Sequence, residues 1–184
     1  SMKKVILIIL CLFLCGCTNN DAKDAVKEYI YKFKNHDKEV LKSLEELISH
    51  EDLTGQASDE YRLVMKKQYY DLEYRIIEQI YNGNKATVIT EITAYDYNKS
   101  KQEAKEYIEA HPENFLKEDN TLDEVKYKNL QLKYMQEETS RVKYTVLFSA
   151  YYEQNEWHLE NPDYTVLQKI HGIYEYEKTM RYSS

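Results

Sequence analysis

The spacing of the apolar residues changes along this chain from the period of a helix to the period of a strand. Between Ala22 and Phe33 they recur three and four positions apart, which places them on one face of a helix. Between Val142 and Tyr152 they alternate with Lys143, Thr145 and other residues of the opposite face. Helical segments that precede β segments predict an α+β fold with N-terminal helices packed on an antiparallel sheet.

Two further helices follow the first one in this prediction. Asn20 is the expected cap of the first helix, and Asp37 and Ser58 are the expected caps of the second and third. The second helix carries an apolar stripe from Val40 to Ile48. The third carries one from Tyr61 to Leu72. Each of these helices thus has one apolar face.

Two β-hairpins are predicted. The segments 74–81 and 85–97 are rich in β-forming residues and flank Asn82-Gly83-Asn84, which is a strong hairpin signal. The second hairpin turns at Gln154-Asn155. Beyond that turn, Trp157 and Leu159 should point towards the core, and His158 should point away from it.

Two segments have weaker patterns: the one between the two hairpins and the one at the C-terminus. Residues 98–110 are polar and favour a helix, which Pro112 ends or restarts. The charged stretch 122–140 predicts a helix that turns into a strand, with a mostly extended conformation as the open alternative. Residues 164–178 predict a last helix, although Gly172 weakens it by about 1 kcal/mol.

The N-terminus has the organisation of a secretory signal. Lys3 and Lys4 are basic, and residues 5–14 form an unbroken apolar run. At about 1.5 Å per residue, that run covers about 15 Å as a helix, which is half the thickness of a bilayer core. It therefore predicts a cleaved leader and not a membrane span.

The end of this run, Leu14-Cys15-Gly16-Cys17, resembles the lipobox of bacterial lipoproteins. Cys15 departs from the Ala, Ser or Thr that is commoner at its position. The resemblance implies cleavage before Cys17 and a lipid on its thiol. The domains are then a signal peptide at 1–16, a lipidated Cys with a short tether at 17–20, and one domain at 21–178.

The lipobox interpretation has two alternatives. One is an ordinary secretory signal in which Cys17 has no special role. The other is a metal or disulfide site of Cys11, Cys15 and Cys17, which is disfavoured because the chain has no other cysteine and no histidine nearby. The expected location is extracytoplasmic, with the lipid on Cys17 as the anchor to the membrane.

The charge of the chain limits its partners. The formal net charge is −7, and it becomes −9 without Lys3 and Lys4, since all 32 acidic residues follow Cys17. Such a body is poorly suited to nucleic acid or to direct adhesion to anionic lipid, so no nucleic-acid partner is expected. The 19 tyrosines are spread along the chain and suit half-buried structural positions better than a binding surface.

The domain also resembles the NTF2-like, cystatin-like fold of small bacterial lipoproteins of uncharacterised families. The features that carry the resemblance are Cys17, the helix at 22–33 and the strand at 156–159, and it covers residues 21–171. It implies a curved sheet wrapped around helices as a cone, with a pocket at the open end and a homodimer interface on the outer face. The segment 99–140 is longer than this fold needs. The residues expected to line the pocket are Tyr29, Phe33, Phe148 and Trp157.

No catalytic or metal-binding pattern emerges from the sequence. The five histidines are not spaced as metal ligands, and neither a phosphate loop, a G-x-S-x-G elbow nor an H-E-x-x-H motif occurs. Glu78 and Glu91 are expected to face solvent or a dimer interface. The acidic residues from Asp119 to Glu124 are expected to start a helix. No cofactor is expected.

Three functions fit these features. The leading one is a non-catalytic envelope protein that binds a small molecule, a peptide or a partner protein. The second is a structural or assembly protein that uses its sheet face, and the third is an NTF2-like enzyme.

Overall fold

The fold was obtained as a computed structural model that describes residues 20–53 and 55–175. The predicted leader and Cys17 lie outside the described residues. The described part contains six α-helices, one 3₁₀ helix and four strands. In chain order they are α1 (Ala22–Lys34), α2 (Lys38–His50), α3 (Gln56–Tyr70), β1 (Glu73–Asn82), β2 (Lys85–Tyr95), α4 (Tyr97–Ala110), the 3₁₀ helix (Pro112–Phe115), α5 (Glu124–Glu137), β3 (Arg141–Glu153), β4 (Glu156–Leu159) and α6 (Tyr164–Ile170).

The four strands form one antiparallel sheet in the order β1-β2-β3-β4. Both predicted hairpins are present: Gly83 turns the first with a φ of +61°, and Gln154 and Asn155 turn the second with φ of +54° and +64°. Along β1 the register shifts between Ile76 and Glu78. The helices and the antiparallel sheet confirm the α+β prediction.

The core lies between the helices and one face of the sheet. The predicted stripe of α1 is buried, and this helix packs against all four strands. Val88, Ile92, Val146 and Phe148 face it from β2 and β3. Alternation along β2 and β3 puts every second residue on this inner face, which is the period-two pattern that the sequence showed.

The long connection between the hairpins is a pair of helices. Helices α4 and α5 pack against each other, and α5 packs against α3. Asp123 caps α5 by accepting a hydrogen bond from the Lys126 backbone N–H at 3.2 Å. The predicted helix is thus confirmed, but the strand that should follow it begins only at Arg141, and the mostly extended alternative is wrong.

Three predicted boundaries differ from the observed ones. The cap of α1 is Asp21 and not Asn20, and the Asp24 carboxylate accepts the Asp21 backbone N–H at 3.0 Å. Helix α3 begins at Gln56, so Ser58 lies inside it and its hydroxyl donates to the Leu53 carbonyl at 2.7 Å. Strand β2 ends at Tyr95 because the chain enters α4 there.

The last helix is shorter than predicted. It ends at Ile170, and Gly172 has a φ of +69°, which an L-residue rarely adopts. A Cβ on Gly172 would lie 1.9 Å from the Tyr95 carbonyl oxygen. The Gly172 carbonyl accepts the Asn98 backbone N–H at 2.8 Å, so contact with the β2–α4 junction stops the helix. None of the helices among the described residues has the length and apolar character needed to cross a bilayer.

Candidate functional site

A row of aromatic rings runs through the interior between α1, α3 and the sheet. The Tyr29 ring lies 5.7 Å from the Phe148 ring and 5.3 Å from the Phe33 ring. Phe33 continues the row to Tyr69 at 5.2 Å, and Tyr69 lies 5.5 Å from His171. The edge-to-face contacts along most of this row favour its fixed geometry.

One end of this row opens into a groove on the surface. The groove has a volume of about 490 Å³ and lies between α1, the first turns of α2, and the segment that leads into α6. Its lining is mainly apolar and aromatic. The lining residues are Tyr29, Lys32, Phe33, Glu39, Val40, Ser43, Pro162, Asp163, Tyr164 and Leu167.

A few polar groups stand at the edge of the groove. Lys32 Nζ and Glu39 Oε2 form an ion pair at 3.6 Å across its rim. Asp163 accepts hydrogen bonds from the Thr165 hydroxyl and the Val166 backbone N–H, which lower the pKa of its carboxyl group. Burial raises the pKa of the Tyr29 hydroxyl to about 12, so it is neutral at ordinary pH.

Tyr29 also borders a second, smaller concavity. This cleft has a volume of about 230 Å³ and lies between α1 and the edge strand β4. Its walls include Ala25, Tyr29, Trp157 and Leu159. Tyr29 and Lys32 line both concavities and therefore lie between the cleft and the groove.

The four residues expected to line one pocket are thus placed differently from one another. Tyr29 and Phe33 line the groove, and Tyr29 and Trp157 line the cleft. Phe148 is 2% exposed and packs behind Tyr29 in the core, so it lines neither of them. The ring contact between Tyr29 and Phe148 fills the space that a single open cavity would need.

The other end of the aromatic row is closed. The Tyr69 hydroxyl and His171 Nε2 lie 2.7 Å apart, and both residues are buried. Burial lowers the pKa of His171 to about 4, so the ring is neutral at physiological pH, and nearby Lys101 acts in the same direction. No local pattern in the sequence indicates this pair, since only the tertiary fold brings residues 69 and 171 together.

Gln68 completes this closed end. Its side-chain amide accepts the Tyr95 backbone N–H at 2.8 Å and donates to the Tyr95 carbonyl at 3.0 Å. The buried amide thus satisfies the backbone at the end of β2 as a neighbouring strand would. Buried polar groups here have partners, which is typical of a structural site.

The other residues considered from the sequence have local roles. His158 stacks on Tyr151 with ring centroids 5.3 Å apart. Glu91 forms ion pairs with Arg75 at 3.7 Å and with Lys143 at 4.0 Å across the outer sheet face. Asp119 accepts hydrogen bonds from Thr121 in a tight turn. Among the described residues, no three His, Cys, Asp or Glu side chains are grouped as metal ligands.

The outer face of the sheet carries apolar side chains. Leu147 on β3 is 62% exposed and is paired in register with Ile89 on β2. Ile80 lies nearby on β1 and is also exposed. Threonine, serine and the ion pairs of Glu91 surround these residues, so the face is mixed in character.

Comparisons of this chain with family models, with curated proteins and with solved structures found no match.

The sequence predicted the two lining residues on α1, Tyr29 and Phe33, but not the other walls of the groove. Val40 was expected only as part of the apolar stripe of the second helix. The one available signal was Pro162, which cannot continue a strand and so must lie in an irregular segment.

Proposed function

We propose that this chain is an extracytoplasmic lipoprotein, held to a membrane by a lipid on Cys17, that binds an apolar small molecule or peptide side chain in the groove. The domain acts without catalysis in this proposal. Its arrangement of helices on an antiparallel sheet is interpreted as an NTF2-like domain.

The observation that carries the binding proposal is the groove itself. Its volume of about 490 Å³ falls in the usual range of ligand sites, roughly 300–1,000 Å³. Phe33, Val40 and Leu167 offer apolar contact, while Lys32 and Glu39 stand at the rim. An apolar lining with a few polar groups is the common composition of a small-molecule site.

The anchor proposal rests on the order of basic residues, apolar run and lipobox at residues 3–17. The NTF2-like interpretation is supported by α1, which starts soon after Cys17 and packs across all four strands. An enzymatic role is less favoured. The buried Tyr69–His171 pair, which could exchange a proton, borders neither the groove nor the cleft.

A groove-blocking variant tests the binding proposal. Ser43 lies in the wall of the groove, so Ser43→Phe should fill part of it. We expect this variant to lose most of the fluorescence enhancement of anilinonaphthalene sulfonate, an anionic dye whose aromatic rings bind apolar surface. The matched control is Lys42→Phe, which adds the same ring to the same helix at an exposed position outside the groove.

Equal probe binding by Ser43→Phe and Lys42→Phe would contradict the groove as the site. Native mass spectrometry of the protein purified from its own host gives a second readout. A retained small molecule that Ser43→Phe excludes would support the proposal. The proposal would be overturned if the wild-type protein has the mass of the bare chain and Ser43→Phe binds the probe as well as wild type does.

The anchor is tested separately by metabolic labelling with a fatty acid. We expect label on the wild-type chain and none on Cys17→Ala. Label that persists in Cys17→Ala would overturn the lipobox assignment.

The outer sheet face favours a second candidate function, an interface with another copy or a partner protein. The exposure of Leu147 beside Ile80 and Ile89 is the supporting observation. If the chain forms a homodimer through this face, Leu147→Asp should lower its mass in solution to that of a monomer. Leu63→Asp is the control, because Leu63 is 67% exposed on α3. A mass that Leu147→Asp leaves unchanged would exclude a dimer through this face.

A further inference from the structure

Three aromatic side chains gather at the end of the sheet where both hairpins turn. The Trp157 ring lies 5.3 Å from the Tyr81 ring and 5.4 Å from the Tyr152 ring. We call Tyr81, Tyr152 and Trp157 the aromatic pole. The small residues Ala86 and Ala150 lie between the edge strands on this face, which leaves room for Tyr81 to reach Trp157.

The aromatic pole is only partly covered by the domain. Tyr81 is 48% exposed and Tyr152 is 42% exposed. Tyr152 shares the inner face with Val146 and Phe148, which are buried, and the sequence pattern alone would have buried it too. It stays exposed at the hairpin end of β3, where its backbone N–H donates to the Asn84 carbonyl at 2.7 Å and joins the two hairpin ends.

The start of α1 is fastened to this pole. The Tyr81 hydroxyl accepts the Ala22 backbone N–H at 3.3 Å and donates to Gln79 Oε1 at 2.8 Å. Gln79 Oε1 also accepts the Lys23 backbone N–H at 2.8 Å. The chain that leads back to Cys17 therefore leaves the domain beside Tyr81.

The length of that chain limits how far the pole can be from a lipid on Cys17. Only Thr18 and Asn19 separate Cys17 from Asn20. At about 3.5 Å per residue, the Cα atoms of Cys17 and Asn20 are at most about 11 Å apart. Attachment through Cys17 would keep this end of the domain near the headgroups and the opposite end of α1 about 20 Å further along the helix axis.

We propose that the aromatic pole is the face that rests on the lipid headgroups of the membrane. This inference rests on the proposed lipid anchor. Tyrosine and tryptophan are suited to the membrane interface, where one part of the ring is in an apolar environment and the other is hydrated. Lys85 in the first hairpin and Glu153 and Glu156 in the second give this end charges of both signs, so the rings and not a net charge make the proposed contact. The lipid holds the protein, and the aromatic pole orients it.

Trp157 provides the test, because it is the single tryptophan of the chain. The chain from Cys17 to Ser184, whose one thiol is Cys17, is coupled to a maleimide lipid in phosphatidylcholine vesicles that contain a headgroup-dansylated lipid. We expect the Trp157 emission to fall at least about twofold by energy transfer, relative to uncoupled protein with the same vesicles, because the tether holds the pole at the surface. The control carries Cys17→Ser and Tyr70→Cys. Tyr70 is exposed, and its carbonyl accepts a hydrogen bond from Lys34 at the far end of α1. This control should show much weaker transfer, and equal or stronger transfer from it would overturn the proposal.

A second pair of variants separates the pole from the tether. With coupling through Cys17, Tyr152→Glu should reduce the transfer clearly, because it replaces one of the rings of the pole with a charged group. Tyr31→Glu, which changes an exposed tyrosine of α1, should not reduce it. If Tyr152→Glu fails to fold by circular dichroism, Tyr152→Ser replaces it. Transfer that is unchanged in the folded Tyr152 variant would mean that the pole makes no contribution. Because the lipid is attached chemically here, this test does not depend on fatty-acid labelling in the cell. The aromatic pole and the lipid anchor can therefore each be contradicted without the other.

Discussion

The two ends of the aromatic row differ in how their polar groups are satisfied. At the closed end, Tyr69 bonds to His171, and Gln68 and Gly172 pack against the Tyr95 backbone. At the open end, Tyr29 is half-buried beside the groove, and its hydroxyl forms no hydrogen bond within the residues that the structure describes. Phe33 contacts both Tyr29 and Tyr69. The same row of rings is thus enclosed in the fold at one end and borders an open groove at the other.

The largest effect is expected at Gly172 of the closed end. Gly172→Ala should destabilise the domain by about 3 kcal/mol or more, because the new Cβ would overlap the Tyr95 carbonyl and Gln68 in addition to straining the backbone. Urea unfolding followed by circular dichroism measures this change.

Gly83→Ala is the matched control for that variant. Gly83 also has a positive φ, but a Cβ added to it would have no neighbouring atom within 4 Å. Its substitution should therefore cost only the backbone strain, about 1–2 kcal/mol. Equal losses in the two variants would show that the packing around Gly172 contributes little.

The next effect is the pH dependence that His171 produces. Its pKa is lowered in the folded state to about 4 from an ordinary 6.5, so the unfolded chain binds the proton more readily. Because the unfolded chain takes up the proton first, the free energy of unfolding is at its full value above pH 6.5 and falls as the pH decreases towards 4. The difference between the two pKa values corresponds to a decrease in the free energy of unfolding of roughly 3 kcal/mol.

Comparison of wild type with His171→Gln measures this contribution. The difference in unfolding free energy between pH 7 and pH 4 should be smaller in His171→Gln, which lacks the titrating ring. His50→Gln, at the exposed end of α2, is the matched control for the same substitution at a surface position. A pH dependence that is the same in His171→Gln and wild type would show that His171 is not buried in a neutral state.

The smallest expected effect is the change in stability when a hydroxyl group is removed from Tyr69 or from Tyr29 of the aromatic row. Tyr69→Phe should cost about 1.5 kcal/mol, because it leaves the buried His171 Nε2 without its partner. Tyr29→Phe should change stability by no more than about 0.5 kcal/mol, since no hydrogen bond within the described residues is lost. Thermal unfolding of the two variants side by side tests the contrast. A larger cost for Tyr29→Phe than for Tyr69→Phe would reverse the assignment of closed and open ends.

Local patterns predicted most of the elements correctly. The apolar stripe of α1 faces the core, and every second residue over most of β3 is buried, as expected. Both hairpin turns form at the predicted residues. These features depend on neighbours within a few positions, so the sequence pattern contains them. The caps were less accurate, because Asp21 and Asn20 are adjacent and both suit the role.

The sequence alone determined the α+β class, the helix and strand periods, and the pattern at residues 3–17 that predicts a lipid anchor. The tertiary structure decided which surfaces face outwards. Contact with Tyr95 ended the last helix at Gly172, the packing of Phe148 behind Tyr29 divided the expected pocket into a groove and a cleft, and the hairpin end of the sheet left Tyr152 exposed. Each of these outcomes depends on residues that are far apart in the chain, and periodicity reports only on near neighbours.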